Sequence, residues 1–275
     1  MIRQILPAAA LIALVACSKA GTQEQAAPAD SGQVHRASAT ATTAPAAAAP
    51  EPNRAGVARA KATDAYSYGY KWPAEAASIP ALDKLMSGWA DKALADLASG
   101  AEDWQATAAK DDMPFHAYSY EQEWQVVANL PRFLSLSSNW STYEGGAHGM
   151  YGSRALIWDR QTGKQVAAQD FFTSPAALER AIAKPYCDAL NAERKKRRGD
   201  FQMDLQEFNS CVALADTTVL LGSSNGKTFD RIGLLVDPYV AGPYAEGSFE
   251  FTLPVSHAVI DALQPAYRPY FSQGR

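Results

Sequence analysis

Hydrophobic and polar residues alternate along several short segments of this chain, as they do in strands with one buried face. The segment DAYSYGYKWP has an aromatic residue at every second position, and this period of two predicts an aromatic strand. Two further runs of this kind, FHAYSYEQEWQVVAN and RFLSLSSNWSTY, are separated by a Leu-Pro pair, and YGSRALIWD follows them. Consecutive strands joined by short turns predict an antiparallel sheet.

Two other segments have the spacing of amphipathic helices. Apolar residues recur every three or four positions over residues 79–97, which predicts a helix that ends near Gly100. Ser174 and Pro175 suit an N-cap and a first helical position, so a second helix is predicted from there to about residue 198. The β-like runs TTVLLG, RIGLLVD and SFEFTLP come later. Because helix and strand blocks do not alternate strictly, we predict an α+β fold with antiparallel sheets and a few packed helices.

The first residues have the layout of an export signal. A short basic segment precedes an apolar run over residues 5–16, which is shorter than the roughly 20 residues of a membrane-spanning helix and is typical of a secretory signal peptide. The run ends in LVAC, which resembles a bacterial lipobox. We therefore predict a lipoprotein signal peptide at residues 1–16 and lipid attachment, including palmitate, at Cys17. An ordinary signal peptide that contains a cysteine is the alternative.

The segment that follows lacks any apolar periodicity. Residues 17–62 are dominated by Ala, Thr, Gln and Pro, a composition that predicts a disordered linker. Ser18, directly after the cysteine, resembles the signal for export to an outer membrane. The predicted location is therefore the cell envelope, with the protein lipid-anchored in the outer membrane and facing the periplasm.

Charge and cysteine content limit the partners and cofactors. Loss of residues 1–16 removes one Arg and no acid, which moves the formal net charge from −4 to −5. This mildly acidic balance argues against a nucleic-acid partner and weakly favours a cationic one. In an oxidising compartment Cys187 and Cys211 are predicted to form a disulfide, because a metal site would need more soft ligands nearby. No cofactor is predicted.

The segment YEGGAHGMYG contains His148 among closely spaced glycines. Glycines adopt backbone conformations closed to other residues, which predicts a tight turn in which His148 bonds back to its own loop. Glycines also let a partner's backbone approach closely, so a binding site is the alternative. Since no two of the four histidines are closer than 32 positions, the local motif of a histidine metal site is missing and no metal site is predicted.

Two other motifs have plain structural interpretations. The segment GSSNG fits the G-x-S-x-G pattern of hydrolases, but a β-like run follows it where a nucleophile elbow needs a helix, so we predict a hairpin and no catalytic serine. The basic run at residues 194–198 suits the solvated C-terminus of the second helix. Contact of this run with an anionic glycan or a lipid headgroup is the alternative.

Three motifs together resemble a known family. They are the GGAH loop at residues 145–148, the turn at residues 159–164 with the DFF that follows, and the PY and YAEG elements within residues 238–247. This arrangement is similar to the paired extracytoplasmic domains of unknown function found in lysozyme-sensing anti-sigma factors and in the non-catalytic part of a peptidoglycan deacetylase. The resemblance covers residues 66–255.

The resemblance implies two domains and a binding function. A deacetylase-associated-like domain is expected at residues 63–155 and an anti-sigma-factor-like domain at residues 156–275. The anti-sigma members bind lysozyme outside the cell, and the deacetylase member keeps its catalytic metal in a separate domain whose motif this chain lacks. We therefore predict a non-catalytic domain on a lipid anchor that binds a lysozyme-like hydrolase or peptidoglycan.

Ligand contacts are expected where aromatic and glycine residues provide a rigid surface. The expected contact residues are Gly145, Gly146, His148, Gly149, Tyr239 and Tyr244. One alternative is a peptidoglycan or glycan deacetylase or hydrolase, with His148 and Glu144 in acid-base roles. Another is an envelope structural protein without a soluble ligand.

Overall fold

A computed structural model describes residues 55–199 and 208–275. The predicted signal peptide, Cys17 and most of the predicted linker lie outside the described residues. The helices and strands are β1 (Val57–Ala62), β2 (Tyr66–Trp72), α1 (Ala74–Ala77), α2 (Pro80–Lys110), β3 (Tyr118–Asn129), β4 (Phe133–Tyr143), β5 (Met150–Asp159), β6 (Lys164–Val166), α3 (Pro175–Arg198), β7 (Thr218–Gly222), β8 (Arg231–Val236), β9 (Phe249–Pro254) and α4 (His257–Ala262). Within this described part, no helix has the length and apolar character needed to cross a membrane.

The strands form two sheets. Strands β1 to β6 lie side by side in sequence order, and β7, β8 and β9 form a second sheet. Neighbouring strands are antiparallel except for β2 and β3, which are parallel. A parallel pair needs a long crossover connection, and α2 supplies it. The predicted α+β fold with antiparallel sheets and a few helices is confirmed.

The first hydrophobic core lies between α2 and one face of the six-stranded sheet. Strand β2 contributes every second residue to it, namely Tyr66, Tyr68, Tyr70 and Trp72, each at most 3% exposed. Two polar contacts tie the helix to this strand: the Tyr68 hydroxyl donates to the carbonyl oxygen of Ala90 at 2.7 Å, and the Trp72 indole N–H donates to Asp83 at 2.9 Å. The predicted aromatic strand is therefore confirmed.

Helix α2 is longer than its sequence pattern predicts. It does not end near Gly100 but continues to Lys110. One glycine costs a helix only about 1 kcal/mol relative to alanine, and Ala101 and Ala108, beyond the glycine, are fully buried. Burial of the last turns therefore outweighs the local cost of the glycine.

Strand β1 occupies residues 57–62, which the sequence assigned to the linker. Most of its side chains are exposed, as expected of an edge strand, so it lacks a clear hydrophobic alternation. Its cations pack on the aromatic residues of β2, with Arg59 5.2 Å from the centroid of the Trp72 ring and Lys61 5.4 Å from that of Tyr66. The ordered region therefore begins before residue 63.

The second core lies between α3, the three-stranded sheet and the far ends of β3, β4 and β5. Helix α3 presents residues spaced by four to it, namely Leu178, Ile182, Tyr186 and Leu190. Strand β5 serves both cores, because Leu156 and Trp158 face the first while Ile157 faces the second. Alternation of side chains across a strand thus lets one sheet support two cores. The division into domains after residue 155 stays a prediction.

Three local predictions for the second half are confirmed. Helix α3 begins after Ser174, whose hydroxyl accepts from the N–H of Ala177 at 3.1 Å. Cys187 is disulfide-bonded to Cys211, with their Cα atoms 5.4 Å apart. The GSSNG segment joins β7 to the antiparallel β8, so it is a turn between two strands.

Candidate binding surface

The loop between β4 and β5 meets the segment after β8. Nε2 of His148 lies 3.2 Å from the hydroxyl oxygen of Tyr239, and the His148 ring stacks on the ring of Tyr244 with centroids 4.0 Å apart. The Tyr244 hydroxyl donates to the carbonyl oxygen of Gly149 at 2.9 Å. The two segments selected from the sequence as contact regions therefore form one surface. We call these four residues the His148 cluster.

The glycines of this loop have different roles. Gly145 has a φ of +79°, which a residue with a Cβ rarely adopts. A Cβ on Gly149 would lie 2.7 Å from the carbonyl oxygen of Thr142, whereas a Cβ on Gly146 would meet nothing closer than 3.9 Å. Nδ1 of His148 also lies 2.9 Å from the carbonyl oxygen of Gly149. The predicted tight turn is therefore present. The His148 imidazole also contacts the segment that contains Tyr239 and Tyr244.

Tyr239 combines an unusual backbone with an exposed side chain. Its φ is +70°, and the residue is 48% exposed. The left-handed conformation costs an ordinary residue roughly 1–2 kcal/mol, and residues in such conformations concentrate at functional sites. Tyrosine is also enriched among the residues that dominate binding energy. Tyr239 is therefore the strongest candidate for direct contact with a partner.

The basic end of α3 holds the segment that carries Tyr244. The Arg198 guanidinium donates to both carboxylate oxygens of Glu246, at 2.7 and 3.0 Å. Arg194 is only 4% exposed and donates to the carbonyl oxygen of Ala241 at 2.9 Å. The prediction of a solvated helix end is therefore wrong for these two arginines, because a distant segment supplies their acceptors.

An acidic groove of about 410 Å³ adjoins the His148 cluster. Its charged lining residues are Lys71, Glu121, Glu123 and Glu250. Since Trp124 is buried in the core beneath α2 and side chains alternate along a strand, Glu121 and Glu123 of β3 project from the opposite face of the sheet. Tyr151 also lines the groove and packs edge-on against Tyr244, with centroids 5.9 Å apart. The groove therefore gives the aromatic surface an acidic border.

The residues of the enzymatic alternative lie on the same loop. His148 has Tyr239, Tyr244 and Gly149 as partners, while Glu144 accepts from the Thr142 hydroxyl at 3.3 Å. Across residues 55–199 and 208–275, no three His, Cys, Asp or Glu side chains lie close enough together to hold a metal ion. The observed partners of His148 fix its ring orientation through aromatic and backbone contacts.

A second concave site, a cleft of about 850 Å³, lies between α2 and strands β3 to β5 and was not predicted from the sequence. We call it the aromatic cleft, because six of its lining residues are Tyr70, Trp89, Tyr118, Tyr120, Trp124 and Trp140. Part of the signal was visible in HAYSYEQEW, where Tyr118, Tyr120 and Trp124 lie at alternate positions of one strand face, with Gln122 between the last two. That pattern predicted a strand but not an accessible site.

Comparison with known proteins supports the fold and the deacetylase-associated part of the resemblance. Residues 59–151 match a protein-family model described as Deacetylase PdaC. A DUF3298 family protein from Pseudomonas aeruginosa PAO1 has a similar fold, with a TM-score of 0.51 and 19% identity over 80% of this chain and 97% of that one. A DUF3298 family member from Bacteroides fragilis NCTC 9343 gives a TM-score of 0.43 and 16% identity over 73% and 88%. No curated protein matches this chain.

These matches place a deacetylase-associated region inside a fold found in a family of unknown function. They agree with the part of the resemblance that concerns the deacetylase-associated domain. The link to lysozyme-sensing anti-sigma factors stays a prediction, as do the roles assigned to individual residues.

Proposed function

We propose that this protein is a non-catalytic, extracytoplasmic binding protein of the bacterial cell envelope, anchored by lipid at Cys17, and that its ligand is a lysozyme-like hydrolase or peptidoglycan. The proposal rests on one observation. Tyr151 lines the acidic groove and packs against Tyr244 of the His148 cluster, so the groove and the cluster form one continuous surface. The match of residues 59–151 to a deacetylase family model supports the deacetylase-associated part of the resemblance on which the choice of peptidoglycan rests.

The geometry of the His148 cluster favours binding of a protein. Tyr239 offers a large, exposed ring whose hydroxyl is already bonded to His148. Because this side chain is held before binding, less conformational entropy is lost when a partner arrives. An exposed, ordered aromatic residue of this kind has the properties of a binding hot spot.

The charge around the cluster favours a cationic partner. Three carboxylates and one lysine line the groove beside it, and the chain as a whole has a formal charge of −4. Complementary charge at the border of an interface mainly raises the association rate and makes it depend on salt. A lysozyme-like hydrolase with a basic surface meets this requirement.

The first test is a calorimetric titration of the full-length protein with a chicken-type lysozyme at two salt concentrations. The proposal expects saturable binding at micromolar affinity or tighter, weaker at the higher salt. No heat at either salt would contradict the hydrolase as ligand and leave peptidoglycan as the remaining one.

The same titration is repeated with His148→Ala to test whether the cluster makes the contact. His116→Ala is the control, because His116 is also exposed but lies outside the cluster. We expect His148→Ala to weaken lysozyme binding by about tenfold or more, as loss of a hot-spot contact does, with an unchanged melting temperature. A collapse of the melting temperature would instead show that His148 serves only the turn.

A further inference from the structure

We propose that the aromatic cleft is a glycan-binding site for a short chain of pyranose rings, with the N-acetylated glycan backbone of peptidoglycan as its natural source. The choice of peptidoglycan rests on the proposed function, while the chemical class of the ligand rests on the cleft itself. The cleft lies on the α2 side of the sheet, and it shares the lining residues Gln122, Trp140 and Ser153 with the acidic groove. Gly100 lines the cleft and not the groove, so a change at Gly100 separates the two sites by experiment.

The walls of the cleft provide flat aromatic surfaces. Trp89 of α2 stacks on Trp124 of β3 with ring centroids 5.9 Å apart and an angle of 26° between the planes. Trp89 and Trp140 are only partly buried, so their rings remain accessible. The face of an aromatic ring carries negative partial charge, and it therefore attracts the polarised C–H groups on the flat face of a pyranose. Aromatic rings that line a cleft suit successive sugar units.

Polar groups at the base of the cleft suit the hydroxyl groups of a sugar. Gln122 is 2% exposed, donates to the Ser138 hydroxyl at 2.8 Å and accepts from the Tyr120 hydroxyl. Tyr70 is also 2% exposed, and its oxygen accepts from the Trp124 indole N–H at 3.0 Å. Of the residues that the structure describes, none accepts the Tyr70 hydroxyl proton. A buried donor without an acceptor gains from a ligand oxygen.

The charges on the rim indicate a ligand without a large net charge. The charged lining residues are Lys92, Asp96, Glu144 and Arg154, two of each sign. Lys92 and Asp96 pair with each other at 2.6 Å, and the Arg154 guanidinium lies 5.9 Å from the centroid of the Trp140 ring. A balanced rim does not select a polyanion, whereas a polyhydroxylated, neutral chain can use charged and neutral groups alike as hydrogen-bond partners.

The size of the cleft fits an oligosaccharide. Its volume of about 850 Å³ lies within the roughly 300–1,000 Å³ that is usual for small-molecule sites. The aromatic lining residues come from α2 and from β2, β3 and β4, so the contact surface extends along the sheet. The site therefore has room for several linked sugars.

Two glycines of α2 allow a test that blocks the cleft without disturbing the core. Gly100 lines the cleft, and a Cβ added there would meet only the Tyr118 ring, at 4.0 Å. Gly88, on the same helix, does not line it, and a Cβ there would meet nothing within 4 Å. Gly100→Leu thus fills the cleft, and Gly88→Leu is its matched control. Both replacements favour the helix over glycine.

The experiment titrates the full-length protein calorimetrically with the tetramer of N-acetylglucosamine. We expect saturable binding by the unchanged protein and by Gly88→Leu, and an affinity lower by about tenfold or more in Gly100→Leu and in Trp140→Ala. Thermal melting of each variant verifies that it is folded. Trp140→Ala removes a surface and Gly100→Leu adds an obstacle. Because Trp140 lines the acidic groove as well, whereas Gly100 lines the cleft and not the groove, a loss in both variants locates the ligand in the cleft, and a loss in Trp140→Ala alone would place it in the groove.

Several results would overturn the inference. Absence of saturable binding to the tetramer at millimolar concentration, in a protein that still binds lysozyme, would remove the glycan site and leave the proposed function standing. Tetramer binding that is the same in all four proteins would place the sugar elsewhere. Absence of binding to both the tetramer and lysozyme would remove the inference and would also contradict the hydrolase as the ligand in the proposed function.

Discussion

The hydroxyl oxygen of Tyr239 lies 3.2 Å from Nε2 of His148, although 91 positions separate the two residues. On its other side the His148 ring is stacked on Tyr244. The orientation of the imidazole is therefore set by a segment far away in the sequence as well as by its own loop. Disturbance of either segment is expected to change the shared surface.

Gly149→Ala tests whether the loop needs its glycine for space. The added Cβ would lie 2.7 Å from the carbonyl oxygen of Thr142, and backbone must move to relieve that contact. We expect a loss of about 1–3 kcal/mol in the free energy of unfolding, as for other overpacked sites. Gly146→Ala is the control, because its nearest neighbour would be 3.9 Å away. Equal denaturation midpoints for the two variants would contradict this account.

Arg198→Ala tests whether the basic run positions the contact surface. Without the guanidinium, the Glu246 carboxylate loses its two hydrogen bonds from Arg198, and the segment that carries Tyr244 loses an anchor. We expect lysozyme to dissociate about tenfold faster while the association rate changes little, since the effect is on the fit of the interface. Surface plasmon resonance separates the two rates.

The exposed Lys195 of the same run provides the control. Lys195→Ala removes the same charge without removing an internal contact, so its dissociation rate should equal that of the unchanged protein. If both variants change the association rate and its salt dependence alike, the run acts through its charge on the partner instead.

Features that depend on residues close together in the sequence could be predicted from it. The aromatic face of β2 and the N-cap at Ser174 follow from local spacing and local side-chain chemistry, and both are present. Strand β1 was missed because pairing with β2 and the contacts of Arg59 and Lys61 with aromatic rings, rather than burial of its own side chains, hold it in place.

The aromatic cleft and the burial of Arg194 could not be predicted for a related reason. Alternating aromatic residues indicate one apolar face, but the opposing elements determine whether that face is covered or left accessible. The basic run likewise indicates exposure by its composition, whereas Arg194 is buried because the carbonyl oxygen of Ala241, 47 positions away, accepts its hydrogen bond. In both cases the deciding partner lies far away in the chain.

Asp159 provides a pH-dependent prediction. Arg132 donates to its two carboxylate oxygens at 3.0 and 2.8 Å, and Asp159 is 2% exposed. Burial by itself raises the pKa of Asp159, but hydrogen bonds from Arg132 and from the N–H of Gln161 outweigh it and hold the pKa below its usual value. The stabilisation is therefore complete above the unfolded pKa of roughly 4 and is lost as the pH falls through the lower, folded pKa.

Asp159→Asn is accordingly expected to lower the free energy of unfolding at neutral pH by about 3 kcal/mol, because it leaves Arg132 without its charged partner. The variant should also lose stability less steeply in acid, as measured by urea denaturation across that pH range. Asp188→Asn is the control, since Asp188 is 63% exposed and pairs with Lys184 on the surface. Parallel pH profiles for Asp159→Asn and the unchanged protein would exclude this role.

Tyr239→Gly separates the stability of the surface from its function. Glycine adopts a φ of +70° without the cost that tyrosine bears there, while the exposed ring contributes little to the cores. We expect an unchanged or higher melting temperature together with lysozyme binding weaker by about tenfold or more. Tyr239→Phe keeps the ring and loses only the hydrogen bond to His148, so it should retain more of the affinity. A protein that melts lower after Tyr239→Gly and still binds lysozyme fully would show that the residue supports the fold and not the contact.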